Sequence, residues 1–264
     1  TEKLAARIMN MGAGPDAVEA LWKVLIPILR LDRADPAAFW IEHGRELAAR
    51  SARLNALGLD SVRFVGPGSD FEVGLSELSV WRGGPDLTKA GLPFSPNIPT
   101  EEVFTSPDYR RAEGRVAFTR PILVPVVGKV VEGGWLEFKG GRVVDYGASA
   151  GKDVLDVYLA IDEGARFLGE VALVDTASPI YQANRVFYNI LFDENASCHI
   201  ALGSAYAACV RGGEAITIND AFLGVIVDAG EHELDIAYRP RSFTVSAAIA
   251  MLTSIVLIVV WSRR

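Results

Sequence analysis

This 264-residue chain is poor in cysteine and has no surplus of basic charge, and each shortage excludes a class of protein. Two cysteines, Cys198 and Cys209, cannot make a disulfide framework, and their spacing matches neither a CxxC redox pair nor a zinc ribbon. They are expected to be small buried hydrophobes in a protein of a reducing compartment. Lys and Arg number 26 against 33 Asp and Glu, for a net charge of −7, so the clustered cations that neutralise phosphates are missing and nucleic acid is not an expected partner. No internal repeat or low-complexity segment is visible. The chain opens at Thr1 without an initiator Met or a basic-then-apolar leader, so it reads as an excerpt with no sign of secretion.

What is present is enough apolar material for a sizeable core: 50% of residues are hydrophobic and 22% charged. Residues 1–60 read as helical, with Asp35 and Pro36 as N-cap and first-turn proline and Phe39, Trp40, His43, Leu47, Arg50, Leu54 and Leu57 at helical spacing. His43 on that stripe is expected to be a packed or partner-bonded core histidine and not a ligand. Over 61–82 the period changes to two, which predicts short strands joined by a Gly-Pro-Gly turn; no Lys or helix follows Gly66 to Ser69 as a phosphate loop would need. Residues 95–114 read as a proline-punctuated loop ending in a helix start at Ser106-Pro107. Residues 115–148 read as a β-meander with turns at Gly133-Gly134 and Gly140-Gly141, and 151–174 as a helix leading into a strand with Glu170 at its start. A boundary is expected near 211–214, followed by a second small meander.

The run 191–206, LFDENASCHIALGSAY, brings together a carboxylate, an imidazole and a phenol in Glu194, His199 and Tyr206. These are the residue types of a hydrolytic metal site: carboxylate oxygens and neutral imidazole bind a divalent ion, and a phenol can donate a hydrogen bond to an oxyanion. Five residues of helix would turn Glu194 and His199 about 140° apart, so a turn leading into a strand or a new helix is expected between them. Upstream, the Glu101-Glu102 pair and Glu170 come from other elements, as convergent ligands must.

Three runs, PNIPTEEVFTSPD, DEGARFLGEVALV and SPIYQANRVFYNILFDENASCHIALGSAY, resemble the thermophilic-type metallo-aminopeptidases, the family of aminopeptidases T and S, and the likeness covers about residues 15–210. The resemblance implies an α/β (α+β) metallo-aminopeptidase domain that binds a pair of divalent ions (zinc, cobalt or magnesium) and removes N-terminal residues from peptides. It implies ligand roles for Glu101 or Glu102, Glu170, Glu194 and His199, with Glu170 bridging and contributing to catalysis, and a catalytic role for Tyr206. It also implies a homodimer.

The pattern breaks after residue 210, where the family's His-x-Asp run does not follow, so the site is expected to be incomplete and activity impaired. The run ITINDAFLGVIVDAGEHELDIAYRPRSFTVSAAIAML is similar to the C-terminus of bacterial multi-span membrane proteins of the YfhO type, in which His232 would be a turn residue. Phe243 to Trp261 carries no charge over nineteen residues, long enough to cross a bilayer. The expected organisation is thus a truncated metallo-aminopeptidase domain over 1–212, a β-meander over 213–242 and a transmembrane helix over 243–262. The aminopeptidase part would face the cytoplasm; the alternative is an inactive membrane-anchored protein or a chimeric fragment.

Overall fold

The structure is a computed structural model that describes residues 1–124, 127–213, 222–226 and 233–237. Three helices open it: α1 (Glu2–Met9), α2 (Pro15–Ile28) and α3 (Pro36–Leu57). The start of α3 is the one expected, with Asp35 Oδ1 accepting from the Ala38 N–H at 2.9 Å and Pro36 in the first turn, while Gly58 ends it in the left-handed region. His43 is 9% exposed on the inner face of α3.

The chain then runs through β1 (Ser61–Gly66), β2 (Ser69–Gly74), β3 (Asp86–Leu87), β4 (Pro93–Phe94), β5 (Glu102–Thr105), β6 (Ala112–Ala117), β7 (Ile122–Val124), β8 (Lys129–Val131), β9 (Trp135–Lys139) and β10 (Arg142–Gly147). After α4 (Lys152–Tyr158) come β11 (Leu168–Val174), α5 (Pro179–Ala183), α6 (Ile190–Glu194), β12 (His199–Gly203), β13 (Phe222–Ile226) and β14 (Glu233–Ala237). A six-stranded antiparallel sheet has the order β10-β9-β6-β2-β1-β14, and a four-stranded one the order β13-β12-β11-β5. Phe71, Val73, Val116, Leu136 and Phe138 of the larger sheet share one core with Val171, Ile200 and Leu202 of the smaller. That leaves the other face of the smaller sheet free to carry polar residues.

Three expectations need correction. No helix starts at Ser106-Pro107: the Ser106 hydroxyl donates to the Tyr206 carbonyl and accepts from the Tyr206 N–H, both at 3.1 Å, so the group read as a helix cap is used across the fold. The proline-rich loop conceals the buried strand β5, too short to show an alternating period. The meander of 115–148 is divided, with β7 and β8 forming a separate hairpin while β9 pairs back onto β6. Of the second meander, the two described strands lie in different sheets, β13 beside β12 and β14 beside β1. Among the described residues no helix is long and apolar enough to cross a membrane; the expected span at 243–262 and His232 lie outside them.

Candidate metal centre

Pleating decides which side chains reach the polar face of the smaller sheet. On β5, Val103 enters the core, so Glu102 and Phe104 point the other way. On β12, Ile200 and Leu202 face the core and His199 and Ala201 oppose them. Strand β11 does not alternate simply: Leu168 pairs with Leu202 but Glu170 with Ala201, so Gly169 is an extra residue and the strand bulges. The bulge lets Leu168 and Val171 both enter the core while Glu170 and Ala172 face the site. A Cβ on Gly169 would collide with the Ser204 carbonyl, which explains the glycine.

Glu102, Glu170 and His199 come together, each offering a ligand atom within 4.8 Å of the others. All three are buried, at 7%, 3% and 1% exposure. Between them lies Ala172, fully buried, which pairs with His199 on one side and Phe104 on the other, while Val174, two residues on, pairs with Glu102. The small side chain leaves room where the three donors converge.

The donor chemistry fits a divalent ion. His199 Nδ1 lies 3.0 Å from the Ser197 carbonyl and so carries the ring proton, which leaves the Nε2 lone pair free to ligate. His199 Nε2 and Glu102 Oε2 are 3.2 Å apart but misaligned for hydrogen bonding, and neither atom has a hydrogen-bond partner among the described residues. Two orphaned buried donor atoms this close are costly unless a cation satisfies both. Burial pushes the His199 pKa down to about 4, so the ring is neutral. Burial, reinforced by Glu170 and Glu194, holds the Glu102 carboxyl well above the usual range; burial and then Glu194 push Glu170 up to about 8, and burial and then Asp193 push Glu194 up to about 7.

Glu194 is half-buried at the end of α6 and acts electrostatically on Glu102 and Glu170 without joining the tight trio. The expected turn into a strand does separate it from His199. Tyr206 is 46% exposed, its ring edge-on to Phe104 with centroids 5.4 Å apart. Burial of its hydroxyl, then the charges of Glu170, Glu194 and Glu102, raise its pKa, so the phenol stays protonated beside the carboxylates.

Glu101, the other member of the pair considered as a ligand, lies outside this group. Its Oε1 accepts from Arg30 Nη2 at 2.9 Å and its Oε2 lies 3.3 Å from His43 Nε2, a nitrogen also 2.9 Å from the Thr100 carbonyl. Adjacent residues point to opposite sides of an extended strand, so the pair divides between two environments. His43 is partner-bonded as expected; Arg30 had no sequence signal, being far away in the chain and in the left-handed region at φ 59°. Cys209 is buried as expected, with its thiol pushed up to about 12 by that burial, whereas Cys198 is only half-buried, and no disulfide joins the two.

The raised carboxyls carry a stability consequence. In the metal-free protein they hold protons that the unfolded chain releases above about pH 4.5, so stability falls as pH rises toward about 8. His199 acts oppositely, adding stability between about pH 4 and 6.5, and contributes no further change above that. Each pH unit over which one such carboxyl is protonated only in the folded state costs about 1.4 kcal/mol. Thermal melts with chelator present should therefore show the midpoint dropping between pH 6.5 and 8, and saturating zinc or cobalt should abolish the drop; parallel curves with and without metal would contradict this.

Comparison with known proteins agrees with the geometry. Aminopeptidase T of Thermus aquaticus is 47% identical over 197 residues, covering 75% of this chain and 48% of that protein. Aminopeptidase 2 of Geobacillus stearothermophilus is 41% identical over 229 residues, covering 84% and 55%. The structure of wild-type AmpT from Thermus thermophilus superposes with a TM-score of 0.80 at 39% identity, over 89% of this chain and 58% of that one. The chain spans about half the length of the curated relatives it matches. The model of the thermophilic metalloprotease (M29) family, whose members imply divalent ions, matches residues 1–223, past the boundary expected near 211–214, and the chain belongs to that family.

Proposed function

We propose that this domain is the metal-binding part of an aminopeptidase that hydrolyses peptides from a free N-terminus. The observation that carries the reading is the meeting of Glu102, Glu170 and His199 around two orphaned donor atoms. Glu102, Glu170 and His199 would hold the ion, with Glu194 beside them and Glu170 placed to bridge to a second. A bound divalent ion supplies Lewis-acid polarisation of the carbonyl and lowers the pKa of water. A carboxylate of this cluster takes the water's proton, and the surrounding negative charge favours a cationic α-amine. Tyr206, protonated at its hydroxyl, donates a hydrogen bond to the developing oxyanion.

Three tight donors make one ion's complement, and the His-x-Asp run is missing from the sequence after residue 210, so we read the chain as holding one ion firmly and turning over slowly. The uncharged run 243–261 supports attachment to a membrane through the C-terminal part. Release of free amino acid from simple aminoacyl substrates, with cobalt or zinc added, tests the activity. The wild type should show metal-dependent release, and Glu170→Gln should reduce it by about 100-fold or more. Equal, metal-independent release from both would overturn the catalytic reading.

A further inference from the structure

Asn195 directly follows Glu194 and is wholly buried, and its side-chain amide is engaged by the protein itself. Both ends of its side-chain amide are occupied. Nδ2 donates to the Leu191 carbonyl at 2.9 Å, closing the last turn of the helix that carries Glu194. Oδ1 accepts from the backbone N–H of Glu101 at 2.7 Å, at the entry to the strand that carries Glu102. Its backbone carbonyl accepts from the Ser178 hydroxyl at 3.0 Å, anchoring the residue to the start of α5.

The opposite side of the same short segment is gripped as firmly. Arg30 and His43 hold the Glu101 carboxylate, and His43 Nε2 also reaches the Thr100 carbonyl. Arg30 keeps its left-handed backbone there, a conformation unfavourable for a side-chain-bearing residue, with its guanidinium 4.8 Å above the Phe39 ring. Residues 100–101 are thus fixed by Asn195, Arg30 and His43, and the pleat then leaves Glu102 only the face where Glu170 and His199 wait.

We propose that Asn195 is a positioning residue of the metal centre: its amide ties the helix bearing Glu194 to the strand bearing Glu102, with the Arg30–Glu101–His43 cluster bracing that strand from behind. The inference rests on the metal-centre reading above and adds residues that act on the ion only through its ligands. Losing such outer hydrogen bonds typically weakens metal affinity by about 10–100-fold, because the ligands lose their common orientation.

Titration of the full chain with cobalt(II), followed by visible absorption, tests this. Asn195→Leu, close in size but without either hydrogen bond, should bind cobalt about 10–100-fold more weakly and shift the visible bands. Glu101→Gln, which removes charge from the brace while keeping its size, should do the same to a smaller degree, about 10-fold. Ser69→Ala deletes a part-buried hydrogen bond, from the Ala117 N–H in the larger sheet, and should lower the melting temperature with affinity and spectrum unchanged. Wild-type affinity and bands in Asn195→Leu would overturn the positioning role and leave the metal centre standing. If Asn195→Leu does not fold, an unchanged spectrum in Glu101→Gln overturns it equally. A wild type without cobalt binding sensitive to Glu170→Gln would instead remove the metal centre itself, and this role with it.

Discussion

Replacing Ala172 by leucine is expected to abolish tight metal binding while the protein stays folded. Ala172 pairs with His199 and Phe104, lies two residues from Glu170 on its own strand, and Glu102 stands diagonally across from it. A leucine there adds three carbons to the floor of the space the donors share, and the pleat directs them at the ligand atoms. An affinity loss of at least about 100-fold follows, the upper end of what disturbed ligand geometry produces. The folding cost should be no more than about 1–3 kcal/mol, because the new atoms enter the site and not the close-packed core. Calorimetric titration with cobalt and a urea denaturation curve read the two quantities separately, and affinity within a few-fold of wild type would show that the ion does not sit over Ala172.

Replacing Gly169 by valine should have the larger effect on folding. The bulge is the reason Leu168 and Val171 share the core face while Glu170 lies opposite. A side chain at Gly169 collides with the Ser204 carbonyl, and if the bulge flattens to relieve the clash, with no residue removed, strict alternation puts Leu168 and Glu170 on one face and one end of β11 must turn over. If the upstream end turns, Leu168 leaves a core where it is 2% exposed, a loss comparable to truncating a buried leucine, about 2–5 kcal/mol. If the downstream end turns, Glu170 enters the core without a partner and Val171 leaves it, at a cost of several kcal/mol. Either is a large fraction of the typical stability of a domain, about 5–15 kcal/mol. Loss of the cooperative transition, or a midpoint lowered that far, is the expected result in urea; a Gly169→Val variant with wild-type stability and metal affinity would refute the parity argument.

Local chemistry made part of this legible in the sequence. Asp35 and Pro36 announced α3, the period of two announced β1 and β2, and five residues between Glu194 and His199 required the break that separates α6 from β12. Three prolines, by contrast, disguised the neighbourhood of β5, and Ser106-Pro107 has the composition of a helix start but serves Tyr206 instead. Glu101 and Glu102 could not be told apart because neighbouring carboxylates are equivalent until the faces of their strand have occupants. Those occupants, Arg30 and His43 on one side and Glu170 and His199 on the other, are brought in by distant parts of the chain. Asn195 did carry a signal, an amide beside a candidate ligand, but its partner at Glu101 is visible only in three dimensions.

The route of the chain between the ligands has a kinetic meaning. After β5 sets Glu102 at the edge of the smaller sheet, the backbone leaves, lays down β6, β9 and β10 of the larger sheet, forms the β7–β8 hairpin and α4, and only then returns as β11 to bring Glu170 alongside. Contacts between such remote segments form late, since the loop must close before pairing repays it. The centre therefore assembles near the end of folding, and an incoming ion meets its donors together only once both sheets exist. Metal uptake would then act as a seal on a finished fold, slowing its unfolding more than speeding its formation.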